Sequence, residues 1–339
     1  MNHMEINVLN NYRKQVKKIS TIFLYCFFFI ALIITFFILK HEILINSDYS
    51  ISRIIILFIS FILIVYVIFN ILDHLIVRPI ERRFYTKYKN LVFKKYLLNS
   101  IRENFVIDTK TSFFEKYIKV WKGQGDLSDS QLFVKYTHFY LDQRFEGKID
   151  ELKFAISKIN LEWKVIIYDG NMGYFNHKNI FDGFHFKIKY NLNPNLTIEF
   201  INKTNGLSMI SAIKKRGQHL NLKKNDYLND NYEIYCNDND LISKTMSNEF
   251  VDALTSLNSI IGDQIIFIIK DGFIYVAFND SNKYFEIDYN LDVEEICLQH
   301  SEQLKKLFHR LNEIKKFMDY YLATKSTTIS NKVNNLTKL

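Results

Sequence analysis

The sequence predicts an α+β protein built on an N-terminal two-helix transmembrane hairpin, followed by a cytosolic domain with a largely antiparallel sheet and flanking helices. Three observations carry this. Ile22–Leu39 and Ile54–Leu72 are each free of charge and dominated by Phe, Ile, Leu and Val. Asp271-Gly272 stands between two apolar runs. From about Val293 to Thr324 the apolar residues repeat at helical spacing.

The two uncharged stretches are about as long as a helix needs to cross the hydrocarbon core, where only a helix satisfies a lone segment's backbone. The linker between them carries Lys40, Glu42, Asp48 and Arg53 and is neutral overall. Arg13, Lys14, Lys17 and Lys18 precede the first stretch, and Arg78, Arg82, Arg83, Lys87 and Lys89 follow the second. The positive-inside rule puts both ends in the cytosol and the short loop outside. A signal peptide is disfavoured: no small-residue cleavage site follows, and a second apolar stretch comes at once. Within the stretches the polar side chains are few: Tyr25, Cys26, Thr35, Ser60, Tyr66 and Asn70. Ion pathways need buried carboxylates, His or Arg, so the hairpin reads as an anchor.

The chain has 339 residues, 48% of them apolar, enough for a core and against wholesale disorder. Gly and Pro together number 12, which disfavours low-complexity linkers and glycine-built phosphate loops. Three separated Cys do not make a disulfide framework. The formal charge is +8. Between Arg78 and Lys122 twelve Lys and Arg face four Asp and Glu, an excess equal to that of the whole chain. Aromatics are interleaved, and Phe84, Tyr88, Leu91, Lys95 and Leu98 fall roughly on one helical face. Arg78, Arg82, Arg83, Lys87, Lys89, Lys94 and Lys95 are therefore expected to meet the anionic headgroups of a lipid bilayer. Nucleic acid is the less favoured partner, given the position beside a membrane stretch.

Downstream, Ser128–Phe145 and a stretch near Asp150–Ile159 read as helices. Lys164–Tyr168, Phe184–Lys189, Leu196–Ile201 and Tyr232–Cys236 read as strands from their β-branched and aromatic content. Ser247–Leu257 reads as a short helix. Asp271-Gly272 is a type I′ hairpin signature, because both turn residues need positive φ. Leu304, Leu307, Leu311, Ile314, Met318 and Tyr321 have the spacing of a coiled-coil seam, which would make a homo-oligomer; a helix packed on its own sheet has the same pattern. The divisions expected are 1–18 basic N-terminus, 19–77 hairpin, 78–125 basic juxtamembrane region, 126–290 α+β domain, 291–324 C-terminal helix and 325–339 polar tail.

Tyr232-Glu-Ile-Tyr-Cys-Asn-Asp238 and Asp240–Phe250 resemble a block of a bacterial family, the domain of unknown function 3137 family: a strand ending "aromatic-x-Val-Tyr-x-x-Asp", then a helix opening near "Leu-Thr-Pro-x-Phe-Met". The hairpin Phe267–Phe278 is similar to that family's next block, and Ser130–Phe133, Asp182-Gly-Phe184 and Phe186 look like further family positions. The resemblance runs from about Ile19 to Ile314. Ser247 departs from it where the family often has Pro. It implies a bacterial inner-membrane protein with two spans, and no activity, cofactor or catalytic residue.

Searched for chemistry, the sequence has no His-Glu-x-x-His, no paired Cys, no Gly-x-Ser-x-Gly elbow and no Walker loop. Asp238 and Asp240 have the spacing of a divalent-metal pair, and equally of an ordinary turn and helix cap. Cys236 could serve as a nucleophile with His219 or His300 as base, or be a small buried apolar residue. No metal or other cofactor is expected. The reading is a non-enzymatic binding or scaffolding module with an unidentified protein partner; the alternative is a membrane-bound enzyme or small-ligand sensor with a pocket in the cytosolic domain.

Overall fold

In the computed structural model the described residues are 3–45, 55, 59–60, 63, 65–67, 69–71, 73–88, 90–91, 106–107, 118–120, 130, 132–133, 136–169, 172–190, 195–203, 213, 215, 217–220, 226–237, 248–262, 265–282 and 284–336. They fall into two units, one of Met1–Ser100 with Tyr284–Glu302, the other of Ile101–Lys283 with Gln303–Leu339.

In the first unit, α1 runs unbroken from His3 to Ile45. Glu5–Phe37 is long and apolar enough to cross a membrane, and none of its most apolar window is buried. The described positions between 55 and 71 are also helical. Phe69 there meets Phe23 and Phe27 of α1 at ring separations of 5.7 and 4.7 Å. Thr35 Oγ1 and Asn70 Nδ2 donate to the carbonyls of Ala31 and Tyr66, one turn back, which hides their polarity inside the helices. A π-helical turn, Asp73–Val77, leads into α2, Arg78–Tyr88, whose buried residues are Phe84 and Tyr88.

Among its described residues the second unit holds a sheet of ten strands: β1 Val106–Ile107, β2 Ile118–Val120, β3 His138–Ile149, β4 Leu152–Asp169, β5 Met172–Lys189, β6 Ile198–Asn202, β7 Gln218–Leu220, β8 Tyr232–Cys236, β9 Ile265–Lys270 and β10 Phe273–Asn279. The order is β1-β3-β4-β5-β10-β9-β6-β8-β7, with β2 also on β3. Every pairing is antiparallel. Among the described residues its helices are α3 Asp226–Asn231, α4 Asn248–Ile261 and, from Gln303 onward, α5 Val293–Leu336, whose residues up to Glu302 belong to the first unit.

The expected β9–β10 hairpin forms as read, with Asp271 at φ 53° and Gly272 at φ 74°. The helices expected over 128–145 and 150–159 do not: His138–Ile149 and Leu152–Asp169 are paired strands. Phe154 through Ile159 are all buried, three on each side of the sheet. Because both faces are covered, apolar residues fall at even and odd positions alike, and no clean period of two distinguishes the strand from a helix. One face holds a cluster that includes Leu132, Phe133, Phe139, Ile159, Leu161, Phe181 and Tyr275. On the other, Phe308 of α5 lies edge-on to Phe145 and Phe154, and Phe317 contacts Phe250 and Phe267.

Thus Leu304, Leu307, Leu311, Ile314 and Met318 are fully buried within the chain, and no exposed seam is left for a coiled coil. The side chain of Tyr321 lies outside the described residues. The helix also continues to Leu336, past Thr324 where the polar tail was expected.

Strands β5 and β10 press together at Gly183, paired with Asn279. A Cβ there would stand 2.0 Å from the Phe278 carbonyl oxygen and 2.9 Å from the Asn279 Cα. Backbone cannot yield as a flexible side chain can. Gly183→Ala is expected to destabilise the protein by about 3 kcal/mol or more. Thermal denaturation of the purified chain measures this; an unchanged melting temperature would contradict the packing.

Candidate functional site

Two groups of side chains stand out, one in each unit. In the second unit, Lys158 of β4, Asp182 of β5, Asp280 just after β10 and Arg310 of α5 form a charged cluster. Lys158 lies inside the apolar run of β4, and its even register position sends it to the helix side. Its ammonium donates to Asp182 Oδ1 at 2.7 Å and to the Asp280 carbonyl. Arg310 Nη1 donates to Asp280 Oδ2 at 2.9 Å, and its guanidinium lies 4.6 Å from the Phe278 ring centre. Asp280 Oδ1 accepts from the Asn282 amide group and, at 3.2 Å, from the Asn282 backbone N–H. The Asp280 N–H closes the strand pair on the Asp182 carbonyl at 2.9 Å.

The exposures of Lys158, Asp280 and Arg310 side chains are 5, 5 and 8%, against 28% for Asp182. Burial of this kind is sustainable only because each charge is matched and hydrogen-bonded. Asp182, Asp280 and Arg310 line a cleft of about 570 Å³, together with Asn179, Phe181, Gly262, Ser281 and Asn282 among others.

In the first unit, Arg13 Nη1 donates to the carbonyls of Tyr289 and Leu291. Asn10 Oδ1 accepts from the Val293 N–H at 3.1 Å, at the start of α5. Asp292 and Glu295 cap that helix reciprocally, each carboxylate taking the other's backbone N–H at 2.9 and 3.0 Å. From α2, Phe84 contacts Tyr289 at 5.5 Å, and Tyr88 donates its hydroxyl to His300 Nδ1 at 2.8 Å. His300 Nε2 then donates to the Glu286 carbonyl at 3.2 Å, so the neutral ring carries its proton on Nε2. Phe285, at φ 56°, sets its ring 5.5 Å from His300.

Burial pulls His300 down to about 4 and pushes the neighbouring Cys297 thiol up to about 11. Burial also raises the Tyr88 phenol. A thiol held protonated in this way is a poor nucleophile.

The residues singled out from sequence are distributed as follows. Arg82 and Arg83 are exposed on α2. Arg78 is paired with Asp73 at 2.9 Å, and Lys87 sits 3.5 Å over the Tyr12 ring. Lys89, Lys94, Lys95, Asp238 and Asp240 lie outside the described residues. Cys236 is buried opposite Gln218, and His219 is opposite Tyr235, so the strand register does not pair His219 with Cys236. His300 is engaged with Tyr88. Among the described residues no three His, Cys, Asp or Glu side chains converge to hold a metal.

Sequence reasoning missed the charged cluster. Arg310 could have been noticed: it falls three residues after Leu307 and four before Ile314, on the apolar face of α5. Lys158 could not, because its surroundings read as a helix.

The model of a family described as "Protein of unknown function (DUF3137)" matches residues 179–319. This stretch of the chain is similar to that family. It contains β5 from Asn179, both strands of the β9–β10 hairpin and most of α5 before Asp319, and with them Asp182, Asp280 and Arg310. Lys158, Ser130–Phe133 and the apolar N-terminal segments lie outside it. No curated protein and no solved structure matches the chain.

Two outcomes follow from this geometry. Removing one partner of a buried pair strands the other, so Arg310→Met should cost about 3–5 kcal/mol; Arg310→Met with Asp280→Leu should recover part of it, read by denaturation of the single and double variants. His300 has its folded value depressed to about 4 from the ordinary 6.5. The unfolded state then binds more protons between these values, so its contribution is intact above pH 6.5 and is lost as pH falls toward 4, by at most about 3 kcal/mol. Melting temperature from pH 7 to 4 should fall more steeply for the native chain than for His300→Gln; parallel profiles would contradict a buried neutral imidazole.

Proposed function

We propose that this is a bacterial inner-membrane protein in which a two-helix hairpin anchors an α+β binding module, with both termini in the cytosol. The observation that carries the reading is one of parity. Asn10 and Arg13 precede the first apolar stretch, and Phe84 and Tyr88 follow the second. All four engage the same segment, Tyr289–His300. A chain whose two flanks meet on one structure has crossed a bilayer an even number of times, and two uncharged stretches stand between them.

Exposure supports the same reading. Among the described residues, every exposed large apolar side chain except Trp163, Tyr174 and Leu298 lies between Val8 and Ile76. An apolar surface of that extent in water marks a face meant for lipid or for another protein. Arg82 and Arg83 then face anionic headgroups, at roughly 1 kcal/mol per cation, whereas Asp73 and Tyr12 draw Arg78 and Lys87 away. The sheet with its helices is the part available to a partner; the paired state of its buried charges favours binding over catalysis.

A cysteine at Ser47, with Cys26, Cys236 and Cys297 replaced by Ala, tests the topology. In spheroplasts it should react with a membrane-impermeant maleimide without lysis, and a cysteine at Asn11 should react only after lysis. The reverse pattern, or labelling of both positions in intact spheroplasts, would overturn the reading.

A further inference from the structure

We infer that the cleft beside Asp182 and Asp280 is a binding site for a neutral, hydroxyl-rich small molecule, a polyol of the size of a mono- or disaccharide. The inference concerns the sheet unit alone and is independent of how the chain meets a membrane. The cleft, about 570 Å³ and broadly open to solvent, has room for a molecule of that size.

Charge decides the ligand class. Asp182, Asp280 and Arg310 line the cleft, and Lys158, buried behind Asp182, completes the second ion pair, so the formal charges of the cluster cancel and each is engaged by an opposite partner. An anion entering here would confront the Asp182 carboxylate. A metal ion or amine finds both Asp280 oxygens engaged and is offered only the second oxygen of Asp182, whose charge Lys158 already balances. A neutral ligand disturbs neither pair.

The hydrogen-bonding inventory at the rim fits hydroxyls. Asp182 is bound to Lys158 through Oδ1 and is the most exposed member of the cluster, so its carboxylate can accept from the cleft. Asn179 and Ser281 are exposed there, each able both to donate and to accept. Asn282 has its amide N–H committed to Asp280 Oδ1, which turns its carbonyl into an acceptor of fixed direction. Groups that alternate donors and acceptors match vicinal hydroxyls, which do the same. The buried pairs behind them give a fixed floor, which orients Asp182 and Asn282 before a ligand arrives.

The test uses the full chain in lipid nanodiscs, which avoids glycosidic detergents. Saturation-transfer-difference NMR is recorded with four probes at millimolar concentration: trehalose, maltose, N-acetylglucosamine and myo-inositol. Inorganic phosphate and putrescine are titrated alongside against the protein's own amide signals. The expected result is transfer to at least one polyol. Asn179→Leu and Ser281→Leu, both exposed positions outside the charged cluster, should weaken that binding about tenfold each with an unchanged melting temperature. Absence of transfer to all four polyols overturns the proposal. So does binding that both variants leave intact, or saturable binding of phosphate or putrescine at this cleft.

Discussion

The ion pair between Arg310 and Asp280 is the constraint around which the sheet unit is arranged. Helix α5 covers one face of the sheet through Phe308 and Phe317, contacts that are apolar and without direction. They would permit the helix to slide or rotate. A guanidinium buried beside Phe278 and bound to one carboxylate permits neither. Because an unpaired charge in that place is expensive, the pair selects one register of helix on sheet. Lys158 extends the constraint across β4, β5 and the end of β10, joining three consecutive strands of the sheet to the same point.

Gly183 is the backbone counterpart of this arrangement. It lets β10 approach β5 closely enough for the Asp280 N–H to reach the Asp182 carbonyl. The two acidic residues are thereby brought to one end of the same strand pair, one nearly buried and one partly open. The cleft results from how these strands end: β10 stops at Asn279 while β5 continues in the opposite direction past Asn179, with the end of α4 alongside.

The first unit rests on different physics. Its long helix hides almost no apolar surface over the stretch that would cross a membrane, and its polar end makes specific hydrogen bonds through Asn10 and Arg13. The Tyr88–His300–Glu286 chain closes the same region from α2, with a neutral imidazole accepting on one side and donating on the other. Every member of that chain has a partner, so its burial stabilises a single arrangement in place of providing a reactive group.

The sequence by itself determined the features that depend on local chemistry: the uncharged stretches and their basic flanks, the Asp271-Gly272 turn, the strand Tyr232–Cys236 and the helix from Val293. Each follows from a period, a composition or a φ requirement that neighbours along the chain satisfy. Tertiary structure alone decided the rest. Phe154–Ile159, read as a helix from its neighbours, became part of a strand covered on both faces, a circumstance that blurs the alternation by which strands are recognised. The apolar row of α5 found its partner in its own sheet, since a row of Leu and Ile does not specify what it packs against. The candidate cleft joins Asp182, Asp280 and Arg310 from separate elements, and only the pairing of β5 with β10 and the seating of α5 bring them within hydrogen-bond reach.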